Sequence, residues 1–141
     1  MTSAEKGFTL IELIAVIILI SIMSVTLFSR LGNVTSANLQ AGRDDLIAAL
    51  FFAQQTAMAR GNIQVILATT SVSVTDNGTA IVVHSKGYPL SFPSGIKITS
   101  PAMPLILSYD RLGRTAATTI TLSGSGSLSA VVTLEASGYA H

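Results

Sequence analysis

Few residues in this 141-residue chain have the type and spacing that reaction chemistry requires. Histidine occurs only at 84 and 141 and cysteine not at all, so neither a thiolate nucleophile nor a cysteine–histidine metal centre can be assembled. Asp44 and Asp45 are adjacent acids, but consecutive helical residues diverge by about 100°, and no calcium-loop spacing surrounds them. The run 123–127, SGSGS, lacks the lysine and the spacing of a phosphate-binding loop. No catalytic residue, metal ligand or cofactor is therefore expected.

What remains is electrostatics. Glu12 is the only charge in the stretch 8–28, FTLIELIAVIILISIMSVTLF. Arg111 and Arg114 flank a turn signal after Tyr109, and with Lys86 and Lys97 they form the one arrangement that nucleic acid could use, Tyr109 offering a stacking face. A net charge of +1 argues against a large basic footprint, so a nucleic-acid partner stands only as the lesser alternative.

The element that positions Glu12 comes first in the chain. At about 1.5 Å per residue, a helix over 8–28 is roughly 30 Å long, the thickness of a bilayer's hydrocarbon core. The stretch predicts a single membrane span. An acid in lipid costs about 2.5–3.5 kcal/mol on insertion scales, so Glu12 needs either the favourable end of a helix dipole or a partner. A cleaved secretory signal with a cut near Ala37 is the competing reading, but its apolar core would run about 7–15 residues, and here the leader is short, with Glu5 offsetting Lys6.

The leader MTSAEKG joins the span as Gly7-Phe8-Thr9-Leu10-Ile11-Glu12. This junction, KGFTLIELI, resembles that of type IV prepilins and pseudopilins, and the resemblance implies cleavage after Gly7 by a membrane prepilin peptidase and N-methylation of Phe8. The residue types make physical sense of such a cut. Gly7 lets a protease approach the peptide bond closely, and an ammonium on Phe8 would lie one helical turn from Glu12. Glu12 could neutralise the amine of its own chain or that of a neighbouring subunit, which would set axial register during assembly.

Beyond the span the pattern remains helical to Arg60 and Gly61, with no proline between 29 and 60 and with Leu39, Leu46, Leu50, Ala53 and Ala57 at helical spacing. Ile47, Phe51 and Met58 adjoin that stripe. Gly32 and Gly42 are the expected soft points, each costing about 1 kcal/mol against alanine. From 63 the period changes to two, and strands are expected at 63–69, 71–75, 80–85, 90–92, 95–99, 105–109, 118–122 and 128–135. His84 is read as a strand residue. Asn77-Gly78 is a hairpin signal, and 123–127 reads as a flexible link. The expected fold class is α+β, a long N-terminal helix, membrane-spanning in its first half, packed on a small antiparallel β domain, and the prepilin resemblance implies that it is type IV pilin-like. The expected division is leader 1–7, span 8–28, amphipathic helix 29–61 and β-rich domain 62–141.

The order of Arg43-Asp44-Asp45-Leu46, then 57–61, then Tyr109-Asp110-Arg111-Leu112-Gly113-Arg114 and a closing Ser137-Gly138-Tyr139 is similar to the GspH/FimT group of minor pilins and pseudopilins. Within that group the layout is most similar to minor pilins of the mannose-sensitive haemagglutinin (MSHA) pilus. The lack of cysteine departs from major pilins, many of which close a C-terminal loop with a disulfide. The resemblance implies a non-enzymatic subunit held in the inner membrane with its C-terminal domain in the periplasm, then carried to a pilus on the cell surface. Its implied partners are other pilins, the prepilin peptidase, the inner-membrane assembly platform and the membrane itself. A type II secretion pseudopilin and a DNA-binding minor pilin are the alternatives.

Overall fold

The computed structural model describes residues 9–83 and 86–141, with side chains left out of the description at 25–34, 83 and 86. The chain divides into two compact units, Met1–Val34 and Thr35–His141. Helix α1 covers Leu10–Arg60. Gly32 and Gly42, expected as soft points, both lie within the helix without breaking it. At Gly42 the physical reason is close packing: an added Cβ would lie 3.1 Å from Ile96 Cγ2 and 3.6 Å from Pro93, so glycine is what admits the loop 93–96 against the helix. The helix ends where Gly61 takes φ +76° and its N–H donates to the Ala57 carbonyl at 2.8 Å.

In the second unit every strand pairing is antiparallel. Strands β1 (Ile63–Ala68) and β2 (Ser71–Asp76) form a hairpin in which buried and half-buried residues alternate along β1 and along β2 as far as Val74, Thr75 being buried as well. Asn77 and Gly78 then turn the chain with φ +50° and +83°, positive at both central positions as a type I′ turn requires, into β3 (Thr79–Ala80). The long strand expected at 80–85 is instead two short ones: β3, and β4 (Val82–Val83), which pairs with β5 (Lys86–Gly87) as a separate ribbon. Strands β6 (Leu90–Ser91), β7 (Lys97–Ser100), β8 (Leu105–Tyr109), β9 (Thr118–Ser123) and β10 (Ser129–Leu134) complete the described set. The link at 123–127 contains a 3₁₀ turn, Ser125–Ser127.

The larger sheet runs β3-β2-β1-β8, with β6 also on β2, and the smaller runs β10-β9-β7. They meet at the β1–β2 turn, where the Thr69 carbonyl accepts from the N–H of Ile98 in β7 at 2.8 Å. The inward residues of both sheets and the helix stripe Leu39, Leu46, Leu50, Ala53 and Ala57 form one hydrophobic core. Ile47 packs partly against that core, whereas Phe51 and Met58 are more than half exposed.

Candidate assembly interface

Thr9 stands at the N-cap of α1. Its carbonyl accepts from the N–H groups of Glu12 and Leu13 at 3.1 and 3.2 Å, and its Oγ1 accepts from Glu12 N–H at 3.4 Å. Glu12 is therefore the third helical residue of a Thr-x-x-Glu capping sequence, in the turn where a negative charge complements the helix dipole. The pattern is readable in the sequence, yet reading Glu12 for its charge alone misses Thr9.

From Leu10 to Met23 the large side chains are exposed on every side. Val16, Ile17, Ile18, Leu19 and Ile20 follow one another with 41–61% exposure, and five residues at about 100° each pass all the way round the helix. Ser21 and Ser24 do not interrupt this surface, because their hydroxyls donate back to the carbonyls of Ile17 and Ile20 at 2.8 and 2.7 Å. A helix apolar all round has to be covered by something other than itself, whether lipid or other protein. Glu12 is the only ionisable side chain in 9–24. Among the described residues no helix is long and apolar enough to cross a membrane, the side chains described in this stretch ending at Ser24. Gly7, Phe8 and His84 lie outside the described residues, as does the side chain of Lys86.

The second candidate cluster lies in the turn 110–114, where Asp110 and Arg114 pair with each other. Asp110 Oδ1 accepts from the N–H groups of Leu112 and Arg114 at 2.9 and 2.8 Å, and Oδ2 accepts from Arg114 Nε at 2.9 Å. The backbone N–H of Arg114 above all, with its guanidinium and the Leu112 N–H, holds the Asp110 carboxyl below its ordinary pKa. Arg111 lies across Gly61, its Nε 3.1 Å from where a Cβ there would stand. Tyr109, expected as a stacking face, is 3% exposed: it continues the inward series Leu107 and Tyr109 of β8, and burial pushes its phenol up to about 12. Tyr139, near the C-terminus, is exposed instead, stacked on His141 with centroids 5.4 Å apart. Tyr109 thus offers no stacking face beside the two arginines, which are both exposed.

What sequence reading could not find is the seat of this turn. Gly138 has φ +85°, and a Cβ on it would collide with the Gly113 carbonyl and lie 2.7 Å from Gln54 Nε2, which itself donates to the Ser137 carbonyl at 3.0 Å. Two glycine turns distant in sequence are thereby stacked on one helix residue. Among the described residues no three histidine, aspartate or glutamate side chains gather to hold a metal.

These features have counterparts in known proteins. Residues 2–28 match the family described as the prokaryotic N-terminal methylation motif. A crystal structure of the Pseudomonas aeruginosa type IV minor pilin FimU superposes with a TM-score of 0.59 at 14% identity, covering 75% of this chain and 88% of that one. The chain has a type IV pilin-like fold. A second crystal form of FimU gives the pilin-like chain a TM-score of 0.56 at 16% identity, over 73% of this chain and 90% of that one. No curated protein matches it in sequence.

Proposed function

We propose that the chain is a non-enzymatic minor pilin of a type IV pilus, of the MSHA type. It is made as a prepilin, cut by prepilin peptidase between Gly7 and Phe8, methylated on Phe8, held in the inner membrane through 8–28 with 62–141 in the periplasm, and passed by the assembly platform into a surface filament. The observation that carries this reading is the stretch from Leu10 to Met23, apolar on every side and bearing one carboxylate, Glu12, in its first turn. In a packed bundle of such helices, Glu12 meets the N-terminal amine of a neighbouring subunit. A carboxylate unpaired in lipid and paired in the filament gives each incoming subunit one favoured axial position. The methylation motif at 2–28 and the likeness to the type IV minor pilin FimU both support the reading.

The test is intact-mass and N-terminal peptide mass spectrometry on the protein expressed with and without a prepilin peptidase. A chain starting at methyl-Phe8 only when the peptidase is present is the expected result. A chain that still starts at Met1, or one cut near Ala37, overturns it. A type II secretion pseudopilin would be processed in the same way, and recovery of the mature chain from sheared surface fibres separates the two.

A further inference from the structure

Strand β8 is hydrogen-bonded along one side only, to β1. The register determines which of its backbone groups face outward. Ala68 and Ser71 close the β1–β2 hairpin around Thr69 and Thr70 as a hydrogen-bonded pair, so Ile66 with Ser73 and Gln64 with Thr75 follow in the same sense. The backbone groups of Ile63, Val65 and Leu67 then point to the other side, toward Tyr109, Leu107 and Leu105. Ile106 and Ser108 are left aiming N–H and C=O away from the sheet. Thr115 Oγ1 agrees with this, donating to the Ser108 carbonyl at 3.0 Å, and Asp110, next in the outward series, donates its N–H to the Arg114 carbonyl at 2.9 Å. Among the described residues nothing bonds the N–H or C=O of Ile106, or the N–H of Ser108.

Exposed strand edges are normally blunted by a charge, a proline or a covering loop. Here Pro104 bounds the edge on one side and Thr115 on the other, but within Leu105–Tyr109, LILSY, there is neither charge nor proline. Ile106 is also 57% exposed, on the outer face and directly opposite the half-buried Ile66. A donor, an acceptor and a second donor at strand spacing are complemented by extended polypeptide backbone, whereas a helix has already used those groups internally.

We propose that this edge accepts an extended segment of a neighbouring, different subunit of the filament as an added strand, with an apolar residue of that segment laid beside Ile106. The identity of the partner rests on the pilin reading above; the open edge does not. Ile106→Pro removes an outward N–H that the fold does not use, a place where an edge strand tolerates proline. The full chain and its variants would be expressed in cells that carry the pilus system but lack their own copy. Chain in sheared surface fibres would be quantified by immunoblot, and the melting temperature measured on the detergent-solubilised protein. Ile106→Pro is expected to melt like the wild type and to fall about tenfold or more in the fibre fraction, while Ile106→Val stays at the wild-type level. Should the proline lower the melting temperature, Ile106→Lys, which keeps the ladder and sets an ammonium beside the incoming strand, is expected to give the same loss. Wild-type incorporation of a well-folded Ile106→Pro or Ile106→Lys chain overturns strand addition. Absence of the wild-type chain itself from the fibres overturns the filament reading, and with it the partner named here.

Discussion

Between 10 and 23 helix α1 exposes leucine, isoleucine, valine and methionine all round, whereas between 39 and 57 its leucines and several alanines are buried against two sheets. Both composition and spacing separate the two stretches: 10–23 carries Glu12 as its one charge, whereas 39–57 carries Arg43, Asp44 and Asp45 with Gln40, Gln54 and Gln55. In the first the apolar residues are consecutive, so no rotation of the helix hides them. In the second the stripe of buried ones, Leu39, Leu46, Leu50, Ala53 and Ala57, recurs at three, four and seven, and the charges and glutamines fall largely on the other side. An amphipathic stripe finds its cover within the chain, and an all-round apolar surface has to find it elsewhere. Stability and assembly should therefore separate cleanly along this one helix.

That separation can be broken by experiment. The largest effect is expected at Gly138→Ala, where left-handed backbone strain and a collision with the Gly113 carbonyl act together. Each costs about 1–3 kcal/mol, so a loss of about 4 kcal/mol, read by denaturant unfolding, is expected. Leu50→Ala empties a fully buried site and should cost about 3 kcal/mol, while Ile17→Ala should stay within about 0.5 kcal/mol by the same measurement. Comparable losses at 17 and 50 would break the comparison. Glu12→Ala sharpens it: membrane insertion and the melting temperature should be unchanged, while incorporation into fibres falls about tenfold or more.

Next in size is a pH effect confined to the second unit. Burial raises the Tyr109 pKa from 10.0 to about 12. Below pH 10 the phenol is neutral in both states and stability is unaffected. Above it the unfolded chain ionises first, so stability should fall by about 1.4 kcal/mol per pH unit until the folded pKa is reached. Tyr109→Phe should flatten that slope. The smallest effect is expected from Arg111→Ala with Arg114→Ala: a gel shift should show no salt-sensitive DNA binding in either form at micromolar protein, and binding lost in the double variant would restore the DNA-binding alternative.

Much of the fold is readable in the chain because its signals are local. The alternation Ile63, Val65, Leu67, the Asn77-Gly78 turn and the stripe Leu46, Leu50, Ala53 each declare an element and its inward face within a few residues. Tyr109 is legible by the same rule, since it follows Leu105 and Leu107 at steps of two; reading it beside Arg111 instead turned it outward. The short pairings of β3 to β6 carry too few residues for any periodicity. The seating of Gly138 on Gly113 and Gln54 is of another kind, a meeting of three segments far apart in sequence that no local pattern announces. In the candidate interface, the lone acid of 8–28 is plain in the sequence, while the cap that Thr9 supplies emerges from the hydrogen bonds.

Gly42 bears on how the protein can change. To anyone improving helices, alanine there promises about 1 kcal/mol of propensity. In this helix the new methyl would press on Ile96 at 3.1 Å, so a routine stabilising substitution becomes a push on the loop 93–96 and, through Ile98 beyond it, on the junction of the two sheets. Drift at position 42 is thereby coupled to drift at position 96. A larger residue at one should become tolerable only in descendants that have already trimmed the other, so the order in which the two substitutions arise would matter as much as their identity.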